Sequence, residues 1–204
     1  MFIMKKNISV RTIAFVGVLG ALSAVLMLVS FPLPFAPIFM KFDVSDIPGL
    51  FAGFFLGPTA GCLVALVKIL LNFVLNGTTT GGVGELSNLC GSCVFILTAA
   101  LIYKKDHTKT GALKGLLCAA LVTSVLYVFM NAYVMFPLYG SLYGMSTEAI
   151  VAMGSKVNPL VKDNLTMMLF SVFPFNLVKY LIVSLITALA YKKCSNALRA
   201  VIKR

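Results

Sequence analysis

Asn176, Lys179 and Tyr180, within the stretch PFNLVKY, stand at i, i+3 and i+4, which on a helix is one face. Two similar groups recur: Lys68, Asn72 and Asn76 at i, i+4, i+8, and Glu85, Asn88 and Ser92 at i, i+3, i+7. Asn131 follows among the aromatics of NAYVMFPLY. This is chemistry for holding a molecule rather than for breaking one. Asparagine donates and accepts at once and lysine is a cationic donor, so neither demands a charged ligand. Such a set suits a planar heterocycle with alternating donors and acceptors, with Met40 and nearby phenylalanines packing on its faces. The glycines and threonines of Asn76 to Glu85, NGTTTGGVGE, suit a hydroxylated tail.

Several other chemistries fall away. The glycine-rich stretch lacks the lysine that follows the last glycine of a phosphate loop, which excludes a nucleotide-triphosphate site there. His107 is the only histidine and stands in a solvated loop, too isolated for a metal site or a general base. Cys90 and Cys93 have the spacing of a redox motif but lie in an apolar run without a βαβ context, so packing explains them and no disulfide or metal is assigned. Asp43 and Asp46 read as helix-start caps. The alternative is a membrane-embedded enzyme using Asp43, Asp46 and Glu85, and Lys179 has a structural alternative as the partner of Glu85 inside a bundle.

The elements that must position these groups are membrane helices. Of the 204 residues 60% are hydrophobic and 11% charged, with no tryptophan. At about 20 apolar residues per span, the chain reads as a single all-α integral membrane domain over residues 1–204 with about six transmembrane helices. They are placed near 11–30, 45–56, 58–76, 84–103, 112–136 and 166–191, with an outer loop and one short surface helix between the last two. The basic N-terminal stretch leads into an apolar run with no convincing cleavage site, hence a first span rather than a removed signal.

Between the first two helices, FPLPFAPIFMKFDVSDIP carries prolines 32, 34 and 37, which forbid a helix over Phe31 to Ile38 and leave a proline-rich strap over the outer mouth. The net charge of +11 does not mark a nucleic-acid surface, since no aromatic-interleaved basic stretch lies outside the helices. Lys5, Lys6, Arg11, Lys104, Lys105, Lys109, Lys114, Lys192, Lys193, Arg199, Lys203 and Arg204, twelve of the seventeen basic residues, fall on one side when six spans are drawn. The positive-inside rule makes that side, and both termini, cytoplasmic. In the first helix Gly17 to Ala21 and Gly20 to Ala24 are small-xxx-small pairs that admit another helix, in this chain or a partner. No internal ATPase motif or inverted repeat supplies energy, so transport would draw on partner subunits.

FPLPFAPIFMKFDVSDIP, GFFLGPTAG, GVGELSN, NAYVMFPLY and PFNLVKY, in this order over nearly the whole chain, resemble the riboflavin-specific substrate-binding subunits (S components) of energy-coupling factor transporters. The resemblance implies six helices in the bacterial plasma membrane and high-affinity capture of riboflavin from outside. It also implies delivery with a membrane coupling subunit and two cytoplasmic ATPases, with no enzymatic activity and no cofactor. It implies that Asn131, Asn176 and Lys179 contact the flavin and that Met40 lies against it. Thr78 to Gly84, with Glu85 and Asn88, would shape the pocket, and Gly17, Gly20, Ala21 and Ala24 would stand for the family's alanine-xxx-alanine docking motif. An S component for another vitamin is the alternative within the same class.

Overall fold

The computed structural model describes residues 9–78 and 80–202, with side chains through Tyr191. Lys5, Lys6, Thr79, Lys203 and Arg204, and the side chains of Lys192, Lys193, Cys194 and Arg199, lie outside the described residues. Among the described residues, five stretches are long and apolar enough to cross a membrane: Val10–Leu28 (α1), Pro58–Asn76 (α3), Val83–Lys105 (α4), Lys109–Tyr143 and Asn164–Tyr191. Their outward Leu and Val side chains, such as Val18, Leu70, Leu117, Leu121 and Leu185, are exposed, the coat expected of helices whose solvent is lipid.

The remaining apolar helix, α2 (Asp46–Phe55), has ten residues, about half the length of a span. It lies inside the bundle: Asp46 and every residue from Pro48 to Phe54 are buried. Gly49, Gly53 and Gly61 permit this, because a side chain at any of them would run into Ile96 of α4. At the far end of α2, Phe54 and Phe55 pack on Tyr103 and Tyr191, whose hydroxyls meet at 2.7 Å.

The proline stretch folds back on itself. Phe31–Pro32 (β1) pairs antiparallel with Lys41–Phe42 (β2), with Phe31 opposite Phe42 and Pro32 opposite Lys41. Two turns close the loop, Ala36 N–H to the Leu33 carbonyl and Met40 N–H to the Pro37 carbonyl. The expected strap is therefore a hairpin with its own hydrogen bonds, docked through Ala36 and Phe42 onto Phe175.

The fourth of these long stretches, expected as the fifth helix, does not end at Phe136 as the sequence suggests. α5 (Lys109–Met130) opens into a π-turn at Asn131–Met135 and continues as α6 (Phe136–Tyr143), carrying Pro137 in its first turn. The last stretch repeats the device: α8 (Asn164–Met167), a π-turn at Met168–Val172, then α9 (Phe173–Ile202) with Pro174 in its first turn. A proline inside a helix leaves the carbonyl four residues earlier without its donor. The wider turn is one way the chain absorbs this, with Phe136 N–H bonding Asn131 O and Phe173 N–H bonding Met168 O. For Pro174 the freed carbonyl is that of Phe170, and Asn158 Nδ2 donates to it at 2.9 Å. α7 (Thr147–Ser155), near the expected surface helix, buries Ile150, Val151 and Gly154 in the connecting segment.

Candidate binding site

One end of the bundle is hollow. A cavity of about 250 Å³ lies where α1, α3 and α5 finish and α4 and α9 begin, with the hairpin as its remaining wall. From α3 come Asn72 and Asn76, from α4 Glu85 and Asn88, from the α5 end Tyr127, Asn131, Met135 and Tyr139, and from α9 Phe175, Asn176 and Lys179. The hairpin contributes Phe39, Met40, Lys41 and Asp43.

Of the residues singled out in the sequence, Met40, Gly84, Glu85, Asn88, Asn131, Asn176 and Lys179 all face this one space. Thr78 does not. Its hydroxyl donates to Glu85 Oε2 at 3.0 Å and accepts from the N–H groups of Thr80 and Gly82, so it ties the α3–α4 loop to Glu85. Thr80 Oγ1 adds a second bond to the same carboxylate at 3.1 Å. Gly77, Gly81 and Gly82 have φ of +65°, +53° and +93°, left-handed values that glycine adopts without strain, which lets the loop turn this tightly.

The two π-turns set the asparagines. Asn131 Nδ2 donates to Tyr127 O and Asn176 Nδ2 to Val172 O, each at 2.8 Å, so both amides are held against their own helices. Lys179 is held more firmly. Its Nζ stands 2.8 Å from Asp43 Oδ2, with both side chains 5% exposed, and 5.9 Å from the centre of the Tyr180 ring. Glu85, the partner considered from sequence, is occupied by the two threonines instead.

Asp43 and Asp46 are not helix caps: Ser45 stands at the N-cap of α2 and makes no side-chain cap bond. Asp43 Oδ1 accepts from both the backbone N–H and the hydroxyl of Ser45. Asp46 Oδ1 takes Lys68 Nζ at 2.6 Å and Ser92 Oγ at 2.6 Å, and Lys68 also donates to Ser92 at 2.8 Å and Ser45 at 3.2 Å. Two lysines and two aspartates thus form one buried, neutral circuit running from α3 and α4 through the start of α2 to α9. The Asp43 carboxylate is thereby engaged on both oxygens, by Lys179 on one and by Ser45 on the other.

The spacing of Lys68, Asn72 and Asn76 marks one polar face, but the carboxylate partner of Lys68 stands on a different helix and leaves no signal in local spacing. Phe39 is one of the phenylalanines expected beside Met40, whereas Tyr139 and Phe175 are cavity residues that the sequence does not single out, since aromatic side chains in an apolar chain carry no distinguishing pattern. The arrangement can bind a molecule with both planar and hydrogen-bonding parts. It has no obvious means of breaking one, since each of Asp43, Asp46 and Glu85 is engaged by lysine or threonine.

The small residues of α1 separate into two sets. Gly20 and Ala24 are buried, and a side chain at Gly20 would collide with Val67 of α3. Gly17 and Ala21 are exposed, and Gly17 has open space before it. Gly20 is thus taken up by the contact with α3 and Ala24 is buried within the protein, while Gly17 and Ala21 stay open on the outer face of α1.

Residues 11–191 match the family model described as "ECF transporter, substrate-specific component". The chain is 33% identical over 187 residues to the riboflavin transporter RibU of Staphylococcus aureus (strain TCH60), covering 91% of each sequence. It is 28% identical to the riboflavin transporter FmnP of Bacillus subtilis (strain 168), over 90% of this chain and 92% of that one. A solved structure of the S component of a bacterial ECF transporter superposes with a TM-score of 0.72 at 31% identity, over 92% of this chain and 97% of that one.

Proposed function

The chain belongs to the substrate-specific components of ECF transporters, and from that premise we propose that its cavity captures riboflavin at the outer face of the cell membrane for delivery inward. It is a multi-pass membrane transport subunit and not an enzyme, and riboflavin is its cargo rather than a cofactor. The observation that carries the ligand reading is the convergence of Asn131, Asn176 and Lys179 with Glu85 and Asn88 around one cavity under Phe39 and Met40. Asparagine amides and a lysine ammonium suit the donors and acceptors of the flavin ring, while Met40, Phe39 and Phe175 suit its faces. The loop ordered by Thr78 suits the ribityl tail.

In this reading the hairpin and α2 together make one descending pass, so that with five long helices the chain crosses six times. The exposed cations Arg11, Lys104, Lys105, Lys109 and Lys114 stand at the helix ends opposite the cavity, which supports a cytoplasmic side there, with both termini on it. The hairpin then covers an outward mouth. The exposed face of α1 around Gly17 and Ala21 suits close approach by a helix of the coupling subunit, to which two cytoplasmic ATPases supply energy.

Titration of riboflavin against the detergent-purified protein tests the ligand. The expected result is saturable quenching of flavin fluorescence. Absence of quenching by folded protein overturns the flavin assignment and directs the search to other vitamins.

A further inference from the structure

Asn131 and Asn176 each spend an amide N–H on their own helix, as described above. Asn72 lines the same cavity from α3, is only 4% exposed, and its Nδ2 is buried without a hydrogen-bond partner among the described residues. Its neighbours on the α3 stripe differ. Lys68, one turn deeper, makes three hydrogen bonds, and Asn76, one turn nearer the rim, is exposed. The stripe is satisfied by protein at its deep end and by solvent at its rim, and only its middle member is left over.

An unpaired buried amide is costly, and the surroundings offer a simple escape, since a leucine at this point of an apolar helix would carry no such penalty. The torsion that turns an asparagine amide is broad, so either its N–H or its carbonyl reaches the cavity. We propose that Asn72 is a ligand-reading residue whose side-chain amide hydrogen-bonds a group carrying a donor beside an acceptor. This rests on the riboflavin reading, under which two parts of the ligand have that chemistry: the N3–H edge of the ring, flanked by carbonyls, and the hydroxyls of the ribityl chain.

The test uses the full chain in detergent, as wild type, Asn72→Leu and Asn72→Ala, the last removing the amide without adding bulk. Each is titrated with riboflavin and with lumichrome, which keeps the ring edge and lacks the tail, and each is followed through thermal unfolding. The expected result is that riboflavin affinity falls at least about tenfold in both variants. The ligand-free Asn72→Leu protein unfolds at or above the wild-type temperature, because a stranded polar group has gone. A residue with a merely structural role would move stability and affinity the same way. An equal loss for lumichrome assigns Asn72 to the ring edge, and a loss confined to riboflavin assigns it to the tail. Affinity within about twofold of wild type in folded variants overturns this inference and leaves the riboflavin reading standing. No quenching by the wild type overturns the riboflavin reading, and this inference with it.

Discussion

Lys179 Nζ and Asp43 Oδ2 meet at 2.8 Å across 136 positions of sequence, joining α9 to the exit of the hairpin at the cavity wall. A group that lines the cavity is thus also part of the fold, and its removal is expected to act twice. Lys179→Ala strands a buried carboxylate, with an expected stability loss of about 3–5 kcal/mol. It also removes a charged hydrogen-bond donor from the cavity, with an expected affinity loss of about 1.5–3 kcal/mol. In the double variant Asp43→Asn/Lys179→Ala no charge is left unpaired, so much of the stability returns and the affinity does not. Thermal unfolding and flavin quenching on the same preparations separate the two effects, and a double variant that recovers both would remove Lys179 from the ligand site.

Both the helices and part of the cavity lining are legible in the sequence to the extent that their signals are local. Long apolar runs mark membrane helices, and spacings of three and four mark Asn176 and Lys179 or Glu85 and Asn88 as shared faces. The partner of Lys179 was not legible, because Asp43 and Glu85 are equally plausible when only one dimension is known. Nor was the continuation of α5 through Pro137. A proline breaks a regular helix, but a π-turn two residues ahead of it, as at Asn131–Met135, lets the chain run on. The register of the small residues on α1 needed α3 beside it.

That register separates two substitutions that sequence alone treats alike. Gly20→Leu forces a side chain into Val67 of α3, with an expected cost of about 1–3 kcal/mol or more, as for overpacking a core. Gly17→Leu meets open space, so unfolding temperature and riboflavin affinity stay at wild-type values. Cellular riboflavin uptake in Gly17→Leu is nonetheless expected to fall, since the added bulk stands where a partner helix would approach. Normal uptake by a strain carrying only Gly17→Leu would move the docking surface off this face of α1.

Lys68 poses the converse case, a buried charge close to the cavity but not on its wall. Its ammonium neutralises Asp46 and bridges Ser45 and Ser92, so Lys68→Met leaves Asp46 charged and buried with one serine for company. The expected stability loss is about 3–5 kcal/mol. Because apolar side chains often replace a buried ion pair at little cost, Lys68→Met/Asp46→Leu is expected within about 1–2 kcal/mol of wild type. Its riboflavin affinity separates two roles for the circuit. Affinity close to wild type means that Ser45 alone holds Asp43 in place for Lys179. A weakened affinity in a protein of restored stability means that the charge of Lys68 reaches the cavity through Ser45 and Asp43. A single variant as stable as wild type would mean that Asp46 finds other partners, and the circuit would then not be what holds α2 inside the bundle.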